Sequence, residues 1–284
     1  MNDPAERLEV HLLVESPDDT PVDLLHRATG LSRQRIKLAM NQGAVWITRG
    51  DSNQRLRRAK RALQEGDEIH LYYDPRVQAE QPPEPALLKD AGGYSVWHKP
   101  RGMRSQGSKW GDHCTIMRWA EQHLVPERTS FTVHRLDMAA SGLILIAHSK
   151  SVAAALAKLF RERRIEKRYL VIVHGDFSRH ASPLRIDRTI DDKNACSEAS
   201  FRQLSADGQR SLVEVRIETG RKHQIRRHLA EVGHPVYGDR LYGSGLEDDC
   251  DLQLTACFLA FQCPVNEQPV EYRLPEKWLP ALVN

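Results

Sequence analysis

The sequence predicts an α+β protein with two domains, the larger built on a mixed, mostly antiparallel sheet. Its 284 residues correspond to about two domains of ordinary size. A proline-rich segment from Pro75 to Ala86 (PRVQAEQPPEPA) lacks amide hydrogens that helices and sheets need, so it should form an extended linker. Beyond it, strand-like segments outnumber helix-like ones, which favours an antiparallel sheet. We therefore expect a small domain over residues 1–74, a linker over 75–87 and a larger domain over 88–284.

The small domain is predicted to be an α/β unit with two helices and two strands. Val22–Ala28 is typical of a short helix. Ser32 is suited to cap a second helix that runs through Met40, with Ile36 and Met40 on one face. The strands are predicted at residues 44–48 and 68–73.

The larger domain is predicted to contain six strands and two helices. Ser149–Arg163 is expected to be helical because Val152, Leu156 and Phe160 recur at helical spacing. Arg221–Val232 shows a similar apolar stripe and is the second predicted helix. The predicted strands are residues 94–98, 131–136, 143–147, 169–174, 212–217 and 253–261.

The net charge of +3 conceals a strongly basic segment between Arg27 and Arg61. It contains ten basic residues and a single acid, Asp51. Arg33 and Lys37 are one helical turn apart and share a face. Such a stripe is typical of a surface that binds a nucleic-acid backbone, and a merely solvated surface is the alternative. The residues predicted here to contact RNA are Arg33, Arg35, Lys37, Arg57 and Arg58.

Two more basic clusters occur in the larger domain. Residues 158–168 contain six basic side chains and two acids, and residues 216–227 contain five basic side chains and one acid. Surfaces of this kind hold a nucleic acid along its backbone rather than carry out chemistry on it. Lys222, in the second cluster, is added to the predicted RNA contacts.

The segment FTVHRLDMAASGLILIAHSK contains the strongest candidates for chemistry. A strand over Phe131–Leu136 is predicted to carry Arg135 and to place Asp137 at its end, followed by a turn of small residues and an apolar strand. Side chains at a strand end are held rigidly and can face a cleft. From spacing alone, Arg135 and Asp137 could equally be an ion pair that caps a hairpin.

This segment resembles the RluA type of pseudouridine synthase, whose motif is HRLD-x-x-[ST]-SGL. The resemblance implies that Asp137 is the essential catalytic carboxylate, and that Arg135 fills the space left when the target base leaves its stack. Ala140 departs from the motif in the turn.

Further motifs extend the resemblance over most of the larger domain. RIEKRYLVIVHG is similar to a family strand that places Tyr169 in the substrate site, and GRKHQIRRHLAEVGHPVYGDRLYG is similar to a third motif. The third motif implies that Ile225 forms a hydrophobic wall and that Arg226 pairs with the catalytic aspartate. VWHKPRGMRSQG resembles the opening strand, and LQLTACFLAFQCPV resembles the closing strand with Thr255 where a histidine is usual.

The small domain resembles the RNA-binding domain named after ribosomal protein S-four. The similar segments are DLLHRATG, SRQRIKLAMNQGAVWI and EGDEIHLYY. Arg49-Gly50 replaces the usual Asn-Gly turn after the central strand.

The resemblance implies an RNA pseudouridine synthase that needs no cofactor and no metal, because the same base is detached and rejoined through carbon. Asp137 would act as a nucleophile or as a base toward a ribose proton, and both options stay open. RNA is the expected partner, with ribosomal RNA favoured over tRNA by analogy with family members that carry such a domain. The alternative is a catalytically silent RNA-binding or ribosome-assembly protein of the same fold.

Several other classes of protein are disfavoured. No apolar run approaches the roughly 20 residues that span a bilayer, and the N-terminus lacks a signal pattern. We therefore expect a cytoplasmic protein without membrane contact. We also expect a monomer. The five cysteines include no C-x-x-C pair and indicate reduced thiols. Cys257 and Cys263 lack a paired zinc motif, and GMRSQGSK places its lysine one position late for a P-loop.

Overall fold

The computed structural model describes residues 6–243 and 248–282, and the chain forms two compact units. The first unit consists of the chain up to Pro82 together with Gln106–Gln122. The second consists of Pro83–Ser105 and the chain from His123 onward. The division predicted from the sequence placed residues 106–122 in the larger domain, whereas they cluster with the first unit.

The first unit contains a four-stranded antiparallel sheet and two helices that share one hydrophobic core. Thr20 and Ser32 cap the helices through their side-chain oxygens, and Ile36 and Met40 are completely buried. The two predicted helices and the two predicted strands are therefore confirmed to within about two residues, while β1 and β3 were not foreseen. The elements are β1 (Leu8–Leu13), α1 (Pro21–Thr29), α2 (Arg33–Asn41), β2 (Val45–Arg49), β3 (Ser52–Arg55) and β4 (Glu68–Tyr73), in the sheet order β1-β4-β2-β3.

The proline-rich segment is not extended throughout, so that prediction is wrong at its two ends. Pro75–Ala79 forms the short helix α3, capped by the Asp74 carboxylate. Proline suits this first helical position because the amide hydrogen it lacks would have no partner there. At the other end, Ala86–Asp90 forms strand β5 of the second unit.

The second unit is built on a ten-stranded sheet that confirms the predicted mixed, mostly antiparallel architecture. All strand pairs are antiparallel except β8 with β13. The remaining strands are β6 (Tyr94–Lys99), β7 (Phe131–Thr132), β8 (Ser141–Ala147), β9 (Glu166–His174), β10 (Leu184–Ile190), β11 (Lys193–Leu204), β12 (Arg210–Ile217), β13 (Leu254–Gln262) and β14 (Pro269–Arg273). The helices of the second unit are α5 (Lys150–Arg161), α6 (Gln224–Glu231) and the single turns Phe177–Arg179 and Glu276–Trp278, whereas α4 (Ile116–His123) belongs to the first unit except for its last residue.

The strand predicted over Phe131–Leu136 is wrong, because β7 ends at Thr132. The amide of Leu145 on β8, which a longer β7 would use, donates instead to the His134 ring at 2.9 Å. Asp137 therefore lies in an irregular loop between β7 and β8 rather than at the end of a strand.

The parallel contact between β8 and β13 sets where that loop ends. Gly142, the second residue of β8, has φ +114°, and a Cβ atom there would lie 2.2 Å from the carbonyl oxygen of Ala256 on β13. Only glycine allows the two backbones to approach so closely. Beside it, the hydroxyls of Ser141 and Thr255 are hydrogen-bonded at 2.9 Å.

Two further observations concern the helices and the cysteines of the described residues. None of their helices is long and apolar enough to span a membrane. All five cysteines are free thiols.

Candidate active site

A cavity of about 220 Å³ in the second unit, called here the site cavity, collects the candidate catalytic and substrate-binding residues. They reach it from three places: the loop between β7 and β8, strand β9, and helix α6. These three places are well separated along the chain, and the sheet brings them together. The candidates that line the site cavity are Arg135, Asp137, Tyr169, Lys222, Ile225 and Arg226.

The loop that carries Asp137 is fixed by side chains from another segment. The Ser105 hydroxyl donates to the Leu136 carbonyl at 2.8 Å and accepts from the Leu136 amide at 3.0 Å. On the other side of Asp137, the Lys99 ammonium donates to the Ala140 carbonyl at 2.7 Å. The backbone is therefore held both before and after the candidate catalytic residue.

Lys99 is completely buried and acts through the backbone of this loop. It also donates to the carbonyl oxygens of Met103 at 2.8 Å and Pro100 at 3.0 Å. Burial lowers the pKa of Lys99 to about 7, against the opposing effect of the negative charge on Asp137. Lys99 lies in the segment VWHKPRGMRSQG, which resembles the opening strand of the family but indicates no role for this lysine.

Arg226 was expected to pair with Asp137, but its closest partner is Asp239. Its Nε and Nη2 atoms donate to the two Asp239 oxygens at 2.7 and 2.6 Å, and both side chains are almost fully buried. The remaining nitrogen, Nη1, lies 3.6 Å from Oδ2 of Asp137. Burial opposes ionisation of Asp239, but the hydrogen bonds from Arg226 outweigh it and lower the pKa of Asp239.

Asp239 also organises the loop that follows it. Its Oδ1 atom accepts the amide hydrogens of Leu241 at 2.9 Å and Tyr242 at 3.1 Å. The Tyr242 ring lies 5.1 Å from the Arg226 guanidinium. Asp239 lies within a motif recognised in the sequence, yet nothing in its spacing distinguished it from a surface residue.

His223 is a second residue of the site that the sequence analysis did not select. It precedes α6 with φ +54°, a left-handed conformation that is uncommon outside glycine. Its Nδ1 lies 3.0 Å from the Tyr242 hydroxyl and its Nε2 lies 3.8 Å from Asp137. Gln224 secures the turn by accepting the amide hydrogen of Arg221 at 3.0 Å. Burial lowers the pKa of His223 despite the neighbouring carboxylate.

The remaining candidates in the site cavity are Tyr169, Ile225 and Arg135. Tyr169 is half-buried on β9, and burial together with the negative charge of Asp137 raises its pKa, so its hydroxyl stays protonated near neutral pH. Ile225 is only 5 % exposed on α6. Arg135 is exposed at the rim.

The predicted RNA contacts of the first unit differ in solvent exposure and in ion pairing. Arg33 is exposed but pairs with Asp23 at 2.8 Å. Arg57 is held by the buried Asp112 carboxylate and by a backbone carbonyl at 2.8 Å. Arg35 is half-buried, while Lys37 and Arg58 are exposed, as is Lys222 in the second unit.

The arrangement combines a carboxylate, a protonated phenol and fixed cations around a small apolar-walled cavity. Over residues 6–243 and 248–282, no three His, Cys, Asp or Glu side chains are grouped as ligands of one metal ion. Proton transfer and nucleophilic attack by Asp137 are the chemistry that these groups support.

Comparison with known proteins gives one consistent result. Residues 93–231 match the RNA pseudouridylate synthase family. The dual-specificity RNA pseudouridine synthase RluA of Salmonella typhimurium is 32% identical, over 68% of this chain and 95% of that protein. An uncharacterized RNA pseudouridine synthase of Aquifex aeolicus is 28% identical, over 94% of this chain and 95% of that protein.

Solved structures agree with this assignment. Human RNA Pseudouridylate Synthase Domain Containing 1 superimposes with a TM-score of 0.58 at 25% identity, over 70% of this chain and 86% of that one. The RluA relative matches this chain over 95% of its own length, and the human structure shares the fold. Together these matches show the family. The chain belongs to the RluA-type family of RNA pseudouridine synthases, which are isomerases.

Proposed function

We propose that this protein isomerises uridine to pseudouridine in structured RNA, with Asp137 as the catalytic carboxylate. The observation that carries the proposal is the contrast between the two carboxylates beside Arg226. Asp239 takes both close hydrogen bonds of the guanidinium. Asp137 lines the site cavity, and no donor among the described residues comes closer to it than Arg226 at 3.6 Å. Its oxygens are thus available to a substrate.

The reaction breaks the bond between N1 of uracil and C1′ of ribose, and it forms a bond between C5 of uracil and C1′. N1 gains a proton and C5 loses one, so the product is an isomer. Asp137 either attacks C1′ or removes a ribose proton, and both roles need an ionised carboxylate. Arg226 supplies a fixed positive charge 3.6 Å away.

The neighbouring side chains suit the remaining requirements. A uridine must leave its stack to enter the site cavity, and the exposed Arg135 at the rim can occupy the space that it vacates. The Tyr169 ring offers a surface on which uracil can stack, and its protonated hydroxyl can take part in proton transfer. The buried Ile225 excludes water from the reacting sugar.

Ribosomal RNA is the proposed substrate, in preference to tRNA. Relatives include ribosomal large subunit pseudouridine synthase D of Borreliella burgdorferi and tRNA pseudouridine synthase C of Vibrio cholerae, so relatives alone do not separate the two. The preference rests on the first unit, whose two helices and exposed basic residues resemble the S-four type of RNA-binding domain. We propose that this unit, through Lys37 and Arg58, holds RNA for a cytoplasmic, monomeric enzyme.

The test is release of tritium from total RNA labelled with [5-³H]uridine in a strain that lacks this protein. Wild type should release tritium, and Asp137→Ala should release none above background. Asp187→Ala, on the exposed face of β10, is the matched control and should behave as wild type. RNA binding without any release would instead identify the catalytically silent alternative.

The RNA target needs a separate measurement. Pseudouridine mapping in ribosomal RNA and tRNA from the deletion strain should reveal missing positions in ribosomal RNA. Loss confined to tRNA would overturn the substrate preference while leaving the activity intact.

A further inference from the structure

The basic cluster at residues 158–168 is divided by the structure into two groups. Glu162 lies 3.8 Å from both Lys158 and Arg164. Glu166 pairs with Arg168 at 2.6 Å. The two acids of the cluster therefore neutralise three of its six cations.

The other three cations are Arg161, Arg163 and Lys167. In the described part of the chain, no carboxylate lies within ion-pair distance of any of them. All three line a second cavity of about 420 Å³, called here the basic cavity. Arg135, which is likewise unpaired among those residues, lines it as well.

The basic cavity adjoins the site cavity. Both are lined by Arg135, Tyr169 and Arg221. The one acid in its lining is Glu218, which pairs with Arg185 at 3.1 Å. The cavity beside the candidate catalytic residue is therefore strongly positive.

Lys167 is the most unusual member of this group because it is only 8 % exposed. The described residues provide no hydrogen-bond acceptor for its ammonium group. Burial, reinforced by the charge of Arg163, lowers the pKa of Lys167 to about 8. Its Nζ is not among the enclosed polar atoms that lack a partner, so the ammonium group of this largely buried residue reaches solvent in the basic cavity, where a ligand can contact it.

Rigid neighbours hold this lysine in place. Side chains alternate along a strand, so Lys167 and Tyr169 share one face of β9 about 7 Å apart, within the reach of one nucleotide. His134 also lines the basic cavity, stacked on Phe160 with ring centres 4.4 Å apart. Burial lowers the pKa of His134 to about 3, so this ring is neutral.

We propose that the basic cavity binds a backbone phosphate of the RNA substrate next to the target uridine, with Lys167 as its central contact. The proposal rests on the proposed function, because it assigns the polymer that enters the site cavity. A phosphate carries the negative charge and acceptor oxygens that four unpaired cations lack. The flipped uridine would enter the site cavity while its adjoining phosphate occupies the basic cavity.

The test compares Lys167→Met with Lys89→Met, which makes the same chemical change at an exposed lysine on β5, outside the three basic segments. Tritium release is measured over a series of salt concentrations. Lys167→Met should lower kcat/KM at least tenfold at low salt, and it should reduce the slope of log kcat/KM against log salt by about 0.7, the value for one phosphate contact on a single strand. Lys89→Met should change neither by more than twofold. Equal slopes for the two variants would overturn the proposal.

A second readout separates this role from a structural one. Lys167→Met removes an unpaired buried charge, so without RNA it should raise the melting temperature of the protein. A lower melting temperature would show that Lys167 supports the fold and would overturn the proposal.

Failure of the proposed function can be recognised separately. If wild type releases no tritium, binding of a fifteen-nucleotide oligouridylate is measured by fluorescence anisotropy over the same salt series. A smaller salt slope for Lys167→Met than for Lys89→Met would support the phosphate site without catalysis. Identical slopes would overturn it.

Discussion

The Arg226–Asp239 ion pair at the candidate active site is buried, whereas the Arg33–Asp23 ion pair of the first unit is exposed. Arg226 and Asp239 have side chains that are 6% and 0% exposed. Arg33 and Asp23, in the first unit, are 59% and 38% exposed. Water screens the second pair and not the first. Losing Asp239 should therefore disrupt the active site, while losing Asp23 should change only salt-dependent attraction to RNA.

The same contrast exists within the active site itself. Asp137 and Asp239 share Arg226, but only Asp239 is fully buried and bound through both oxygens. Asp239 positions the arginine, and Asp137 is left to face the cavity. Two residues of one type thus differ in role because of burial and hydrogen bonding.

The largest effect is expected for Asp239→Asn. Breaking a buried ion pair costs about 3–5 kcal/mol, which lowers the melting temperature of a unit of this size by roughly 10 °C. Tritium release should also fall, because Arg226 loses its orientation. Thermal melts and the release assay measure the two effects.

Asp23→Asn is the matched control, since it removes the exposed partner of Arg33. It should leave the melting temperature almost unchanged and release intact. If the two substitutions destabilised the protein equally, the distinction between buried and exposed charge would be lost.

An intermediate effect is expected for Lys99→Met and should depend on pH. The pKa of Lys99 is about 7 in the folded protein and near 10.5 in the unfolded chain, so between these values the unfolded chain binds more protons. The free energy of unfolding of wild type should therefore rise relative to that of Lys99→Met as the pH increases from 7 to 10. Urea unfolding across this range measures the difference.

Lys99→Met should also reduce kcat more than it raises KM, because it loosens the Asp137 loop without touching RNA. Ser105→Ala removes hydrogen bonds to the same loop and should lower kcat without the pH effect. A constant difference in unfolding free energy from pH 7 to 10 would contradict the assigned burial of Lys99.

The smallest effect is expected for the double charge reversal Arg33→Glu with Lys37→Glu. It should raise KM several-fold at low salt. This increase in KM should disappear as the salt concentration rises, because exposed charges are screened. The kcat value on a short, saturating RNA should stay unchanged. Loss of chemistry at saturation would show that the first unit contributes to the reaction and not only to binding.

Six residues that line the site cavity could be selected from sequence because they lie in motifs that resemble those of one family. Local periodicity alone favours core positions for Tyr169 on its apolar strand and Ile225 on its apolar helical stripe, so their assignment depended on the resemblance. Prediction from sequence was wrong where a side chain takes the place of a backbone hydrogen-bond partner. The strand predicted over Phe131–Leu136 ends at Thr132, and the Leu145 amide donates to the His134 ring instead.

The sequence by itself determined the two-unit α+β organisation, the candidate residue Asp137 and the positions of the basic clusters. The organisation and the clusters follow from residue type and spacing along the chain, and Asp137 follows from the resemblance of its motif to that of one family. Only the tertiary structure decided that Asp239 holds Arg226, that Lys99 anchors the catalytic loop, and that Lys167 is left without a partner. The reason is physical: hydrogen bonding and burial depend on which distant segments the sheet brings together, and spacing along the chain does not contain that information.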